Sequence, residues 1–118
     1  MPAPVATLAA LPVITAAALA LPATLAAAAA PPTPVELGRD KYVQCASCHG
    51  SDGRSTVIPQ YPKIGGQSAP YTVNALKAYR DGRRLGTFAA IMAEVAKPLT
   101  DADIDNLAAY VESLDTPN

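Results

Sequence analysis

Cys45-Ala46-Ser47-Cys48-His49 is the one stretch where thiols and an imidazole cluster. On one helical turn Cys45, Cys48 and His49 share a face, so two sulfurs can reach the vinyl carbons of a haem while the imidazole meets its iron. This spacing is the attachment signature of haem c. Three other readings fit worse. A structural zinc site wants four ligands, and the chain offers two Cys and one His with no second pair. A thioredoxin-like redox pair belongs in a βαβ pattern, of which there is no trace. A disulfide between Cys45 and Cys48 would close a tiny loop, contribute little, and leave His49 unused.

If iron is bound, its other axial ligand follows by elimination. The chain has two methionines, Met1 and Met92, and no histidine besides His49. Met1 leaves with an N-terminal segment described below, so Met92, 43 residues after His49, is the one thioether remaining. A lone Met ordinarily packs a core, and a Lys ligand or an open position stay as alternatives to a thioether that would favour ferrous iron and raise the potential.

Helices must position these groups. The segment from Val35 to about His49 reads as a helix opened after Pro34, with Glu36 at its positive end and Gly38, Tyr42 and Cys45 along one face. Residues 50–70 are too rich in Gly, Ser and Pro for a regular element, and a long loop in a small domain usually wraps something. The spacing of Val73, Leu76 and Tyr79 predicts a second helix from Pro70 to Asp81, stopped by Gly82. A short helix from Phe88 to Ala96 follows. Thr100 then caps a last helix with an apolar stripe of Ile104, Leu107, Ala108, Val111 and Leu114. Asp101, Asp103 and Asp105 near its start complement the helix dipole better than they make a docking patch. No stretch alternates apolar and polar residues, so the expected fold is all-α, with about four short helices.

The N-terminal third is different material. Glu36 is the first charged residue, and residues 1–30 contain fourteen alanines. The apolar run from Val13 to Leu21 is only nine residues long between Pro12 and Pro22, against the roughly twenty a membrane span needs. That outline is a secretory signal peptide, with Ala26 and Ala28 as the small residues before a cut at Ala29. No Lys or Arg follows Met1, which leaves open a start further upstream. The expected organisation is a signal peptide over 1–28, a Pro-rich lead over 29–34 and one domain over 35–118. No stable membrane insertion is expected after cleavage, and the protein is expected in the periplasm, the compartment where haem is attached covalently. A formal charge of −1 suggests neither nucleic acid nor an anionic membrane as partner, and a single His removes most hydrolase schemes.

The segments CASCHG (45–50), YPKIGGQ (61–67), LKAYRDGRR (76–84) and MAEVAKPLTDADIDNLAAYV (92–111), in this order, make the chain resemble the class I c-type cytochromes, nearest the bacterial periplasmic group of single domains and dihaem halves. The resemblance implies that the Pro62 carbonyl accepts the Nδ1 proton of His49, making the imidazole a better donor to iron; alternatively Pro59 and Pro62 only shape a turn. It also implies that Gly38 and Tyr42 pack across Leu107 and Tyr110. The implied function is one-electron transport by a haem c with His49 and Met92 as axial ligands. A dehydrogenase or quinol-oxidising complex would donate and an oxidase or reductase accept. A dedicated cytochrome subunit of a periplasmic dehydrogenase is the alternative, and an open-iron peroxidase or sensor is disfavoured by the Met92 segment. Arg80, Arg83 and Arg84 form a basic cluster that reads as a solvated turn, or else faces a partner or a haem propionate; Gln67 and Tyr71 are candidates for hydrogen bonds near the haem.

Overall fold

The structure, a computed structural model, describes residues 1–115, so the last three residues of the expected domain lie outside it. Four helices follow in order: α1 (Pro34–His49), α2 (Ala69–Arg80), α3 (Ala89–Ala96) and α4 (Asp101–Ser113). Residues 1–33 form no helix or strand and are exposed throughout. Among the described residues no helix is long and apolar enough to cross a membrane.

Two helix starts show how local chemistry sets the boundaries. α1 begins one residue earlier than expected because Thr33 is its cap: Glu36 N–H donates to Thr33 Oγ1, and the Glu36 carboxylate accepts from Thr33 N–H at 2.8 Å. At α4, Asp103 N–H donates to Thr100 Oγ1 and Thr100 N–H to the Asp103 carboxylate, each at 3.0 Å. Both are reciprocal capping boxes, which satisfy backbone donors that the first helical turn leaves without partners. The acidic start of α4 also pairs across helices, Asp103 with Lys41 at 3.1 Å and Asp101 with Arg80 at 2.8 Å.

The core lies where α1 crosses α4. Tyr42, Ile104, Leu107 and Val111 are buried there with Ala96 and Leu99. Tyr42 meets Tyr110 edge to face, ring centroids 5.1 Å apart, and its hydroxyl donates to the Gly50 carbonyl at 2.9 Å. Gly38 permits the crossing: a Cβ there would overlap the Asn106 carbonyl oxygen and lie 2.8 Å from Tyr110 Cβ. α2 packs against α4 and against α3, whereas α3 packs against neither α1 nor α4 along its length. It reaches the core through Ala96 at its end and Leu99 just beyond.

The stripe expected on α2, Val73, Leu76 and Tyr79, is only half-buried, and the helix's buried residue is Thr72 instead. Leu76 and Tyr79 face a crevice rather than solid core.

The loop over 50–68 is tied at several points. Gly53 carbonyl accepts from Ile64 and Gly65 N–H, Cys48 carbonyl from Val57 N–H, and Val111 carbonyl from Gly66 N–H. The Asp52 carboxylate accepts from Ser55 N–H, Arg54 N–H and Ser55 Oγ, which together hold it down at a pKa of about 2. Arg54 reaches the far end of α4, donating to the Leu114 carbonyl and to Asp115, each at 3.1 Å. So fastened, the loop is a fixed wall and not a free strap.

Candidate functional site

The motif occupies the last turn of α1, which puts Cys45, Cys48 and His49 on a crevice between α1, the loop and the α2–α3 segment. His49 is 6% exposed. Its Nδ1 lies 2.8 Å from the Pro62 carbonyl oxygen, a distance at which Nδ1 carries the proton and donates. The other ring nitrogen is thereby left as the lone-pair bearer, ready for a metal. The Tyr61 ring stands 6.4 Å from the imidazole, tilted by 42°.

The crevice has two lobes, about 320 and 210 Å³ in volume. Cys45, His49, Pro62, Tyr79 and Met92 line both. The outer lobe continues to Leu85, Phe88 and Ile91 at the surface; the inner one is walled by Leu76, Leu107 and Val111. Neither is lined by an Asp or a Glu. An apolar cleft of this size with few polar groups is what a sizeable organic ligand needs.

No disulfide joins Cys45 and Cys48. Burial, with the Cys48 thiol beside it, pushes the Cys45 thiol up to about 11, whereas a redox-active Cys pair needs a lowered pKa. Among the described residues no three His, Cys, Asp or Glu side chains gather as a metal cluster. The donor set therefore fits a planar cofactor with its own metal, attached by two sulfurs and flanked by an imidazole and a thioether, better than a bare metal ion. Haem answers that description: Cys45 and Cys48 would hold it, in a crevice whose walls include His49 and Met92.

Met92 lies mid-way along α3, half-buried. What brings α3 there was not evident from the sequence. Tyr61 packs edge to face on Phe88, centroids 5.4 Å apart, so the loop residue before Pro62 steadies the entrance to α3. Phe88 itself sits at the N-terminal boundary of that helix, which begins at Ala89 rather than at Phe88.

The expected arginine cluster divides. Arg80 is a strut: it donates to the Leu99 carbonyl at 3.1 Å and pairs with Asp101. Arg83 pairs with Asp81 at 3.1 Å. Only Arg84 lines the crevice. Gln67 and Tyr71 line the same lobe, where Gln67 Oε1 accepts from the Thr72 hydroxyl at 3.0 Å.

Comparison with known proteins agrees with this geometry. The family model for cytochrome c matches residues 35–115. Cytochrome c-554(548) of Halomonas halodenitrificans is 49% identical over 76 residues, covering 64% of this chain and 90% of that protein. Cytochrome c4 of Stutzerimonas stutzeri is 37% identical over 71 residues, covering 59% of this chain but 34% of the relative. The crystal structure of reduced recombinant cytochrome c4 from Pseudomonas stutzeri superimposes with a TM-score of 0.61 at 32% identity, over 70% of this chain and 49% of that one.

Proposed function

The chain belongs to the cytochrome c family, and from that premise we propose that it carries single electrons between periplasmic redox proteins, with His49 and Met92 as axial ligands. Its cofactor is one covalent haem c, attached through Cys45 and Cys48. When bound, the haem supplies reversible one-electron exchange between ferric and ferrous iron. The observation that carries the reading is that His49 and Met92 line both lobes of one crevice while the Pro62 carbonyl occupies the other imidazole nitrogen.

The protein's own residues do the rest. Pro62 fixes the His49 ring and raises its basicity toward a metal. Met92 brings a soft sulfur that favours the ferrous state. If His49 and Met92 both hold the iron, no ligand position would be left for a substrate, which favours transport over catalysis. Leu85, Phe88 and Ile91, exposed by 89%, 36% and 45%, give the outer lobe an apolar rim. A rim of three side chains suits brief docking of a donor such as a dehydrogenase or quinol-oxidising complex, and then of an acceptor oxidase or reductase. A permanent place in a dehydrogenase complex would call for a larger apolar face.

Residues 1–28 are read as the signal for export from the nine-residue apolar run Val13 to Leu21 and the small residues Ala26 and Ala28 before the cut. Met92→Ala tests the central proposal. The parent ferrous protein should resist carbon monoxide; the variant should bind it and show a lower midpoint potential, because the soft ligand is gone. An unchanged spectrum and potential in Met92→Ala would show that the iron is ligated otherwise.

A further inference from the structure

α3 begins without the devices that start α1 and α4. Thr33 and Thr100 cap those helices with reciprocal side-chain bonds, whereas Phe88 offers α3 no side-chain cap, and no acidic residue stands in its first turn. Eight residues are too few to hold a helix by propensity alone. The chain leading in gives little anchorage: Gly86 takes φ +148°, and nothing packs within 4 Å of where its Cβ would stand. The start of α3 is fixed by Phe88 instead. Its carbonyl accepts from Ile91 N–H at 3.2 Å and from Met92 N–H at 3.4 Å, and its ring takes the edge-to-face contact with Tyr61.

Tyr61 belongs to the wall that holds His49. It precedes Pro62, whose carbonyl takes the His49 Nδ1 proton, its own N–H donates to the Ile58 carbonyl at 3.1 Å, and its ring stands beside the imidazole. Tyr61 and Phe88 both line the outer lobe. They form a clasp from the fastened loop to the residue whose carbonyl the Met92 backbone bonds. At the far end of α3 Ala96 enters the core, and along its length the helix packs on α2 alone, so the clasp is what ties its near end to the His49 side. We propose that Tyr61 is a positioning residue for the thioether: its clasp on Phe88 sets how often α3 lifts and Met92 yields the iron to an outside ligand. The proposal rests on the reading of Met92 as axial ligand. An edge-to-face pair is strong enough to shift such an opening equilibrium by about 2- to 12-fold.

Imidazole is the probe, because it takes the iron position that Met92 vacates and its apparent affinity for ferric holoprotein rises with the open fraction. The Met-to-iron charge-transfer band follows the exchange, and guanidinium denaturation reports global stability separately. Tyr61→Leu and Phe88→Leu should each raise the affinity by about 2- to 12-fold. The double variant should exceed the singles by little, since both changes remove one contact. Tyr61→Phe keeps the ring and should match the parent. Tyr110→Leu removes the edge-to-face pair inside the α1–α4 frame; it should lower the denaturation midpoint and leave the imidazole affinity alone. If Tyr61→Leu does not fold, Phe88→Leu and Tyr61→Phe decide against the same Tyr110→Leu control. Unchanged affinity in either Leu variant of the clasp, additive effects in the double variant, a Tyr61→Phe that behaves like Tyr61→Leu, or an equal response from Tyr110→Leu overturns the proposal. A parent that lacks the Met-to-iron band would instead overturn the ligand assignment beneath it.

Discussion

Gly38→Ala adds one methyl group at the point where α1 crosses α4. That carbon would overlap the Asn106 carbonyl oxygen and lie 2.7 Å from the carbonyl carbon and 2.8 Å from Tyr110 Cβ. The first two atoms are helix backbone and cannot turn aside, so α1 must lift off α4. Overpacking of this kind costs ~1–3 kcal/mol, and backbone obstruction places it at the upper end. Alanine's better helix propensity returns about 1 kcal/mol. The net loss is about 2 kcal/mol, a fall of roughly 8–16 °C in unfolding midpoint for a domain of this size. Thermal unfolding of the ferric holoprotein, followed by circular dichroism, measures it, with the haem absorption spectrum as a check that attachment is intact. Since the same substitution would stabilise an unpacked helix, the sign alone is informative. A variant that melts at or above the parent would refute the tight crossing.

Acid-acetone extraction should leave the colour with the polypeptide, and mass spectrometry should find one haem per chain. Expressed with haem-attachment machinery, the mature protein should begin near Ala29 and appear in the soluble periplasmic fraction; retention of Leu11 to Leu21 in membranes would contradict export. Asp52 is depressed from 3.8 to about 2 by Ser55 N–H, Arg54 N–H and the Ser55 hydroxyl, and Asp101 is lowered chiefly by its hydrogen bond from Arg80. Depressed carboxylates favour the fold above their unfolded pKa and lose that effect as pH falls through the folded value, so denaturation midpoints should drop from pH 3.8 toward 2, and Asp52→Asn should flatten this limb. Tyr42→Phe removes the hydroxyl bonded to Gly50 and should cost ~1 kcal/mol, read as a lower denaturant midpoint.

Sequence made the chemistry legible where it is local. CASCH carries its own geometry on one helical turn, and Thr100 with the stripe from Ile104 to Val111 announces α4, because capping and burial repeat at helical intervals. Family likeness supplied Pro62, whose carbonyl does stand 2.8 Å from His49 Nδ1. What stayed hidden depends on residues far apart in the chain or on loops without period. Nothing in the order of residues tells that Tyr61 will steady Phe88, or that three arginines within five positions will separate into a strut, a surface pair and a cavity wall. The half-burial of Leu76 and Tyr79 was hidden as well, since a spacing that suits a core suits the wall of a crevice equally.

Anchorage of the two proposed iron ligands is unequal. His49 ends the longest helix and is held by Pro62, within the frame made by α1 and α4. Met92 rides a helix of eight residues that packs along its length on α2 alone. A local opening could therefore lift α3 outward and release the thioether while that frame, to which Arg80 straps α2 through Leu99 and Asp101, stays closed. The cofactor could not diffuse away, because both sulfur tethers sit on the half that does not move. Damage of this sort would be repaired by reclosure within the time of a segmental motion, without a second visit to the attachment machinery. The thioether bonds thus turn ligand loss from an inactivation into a pause.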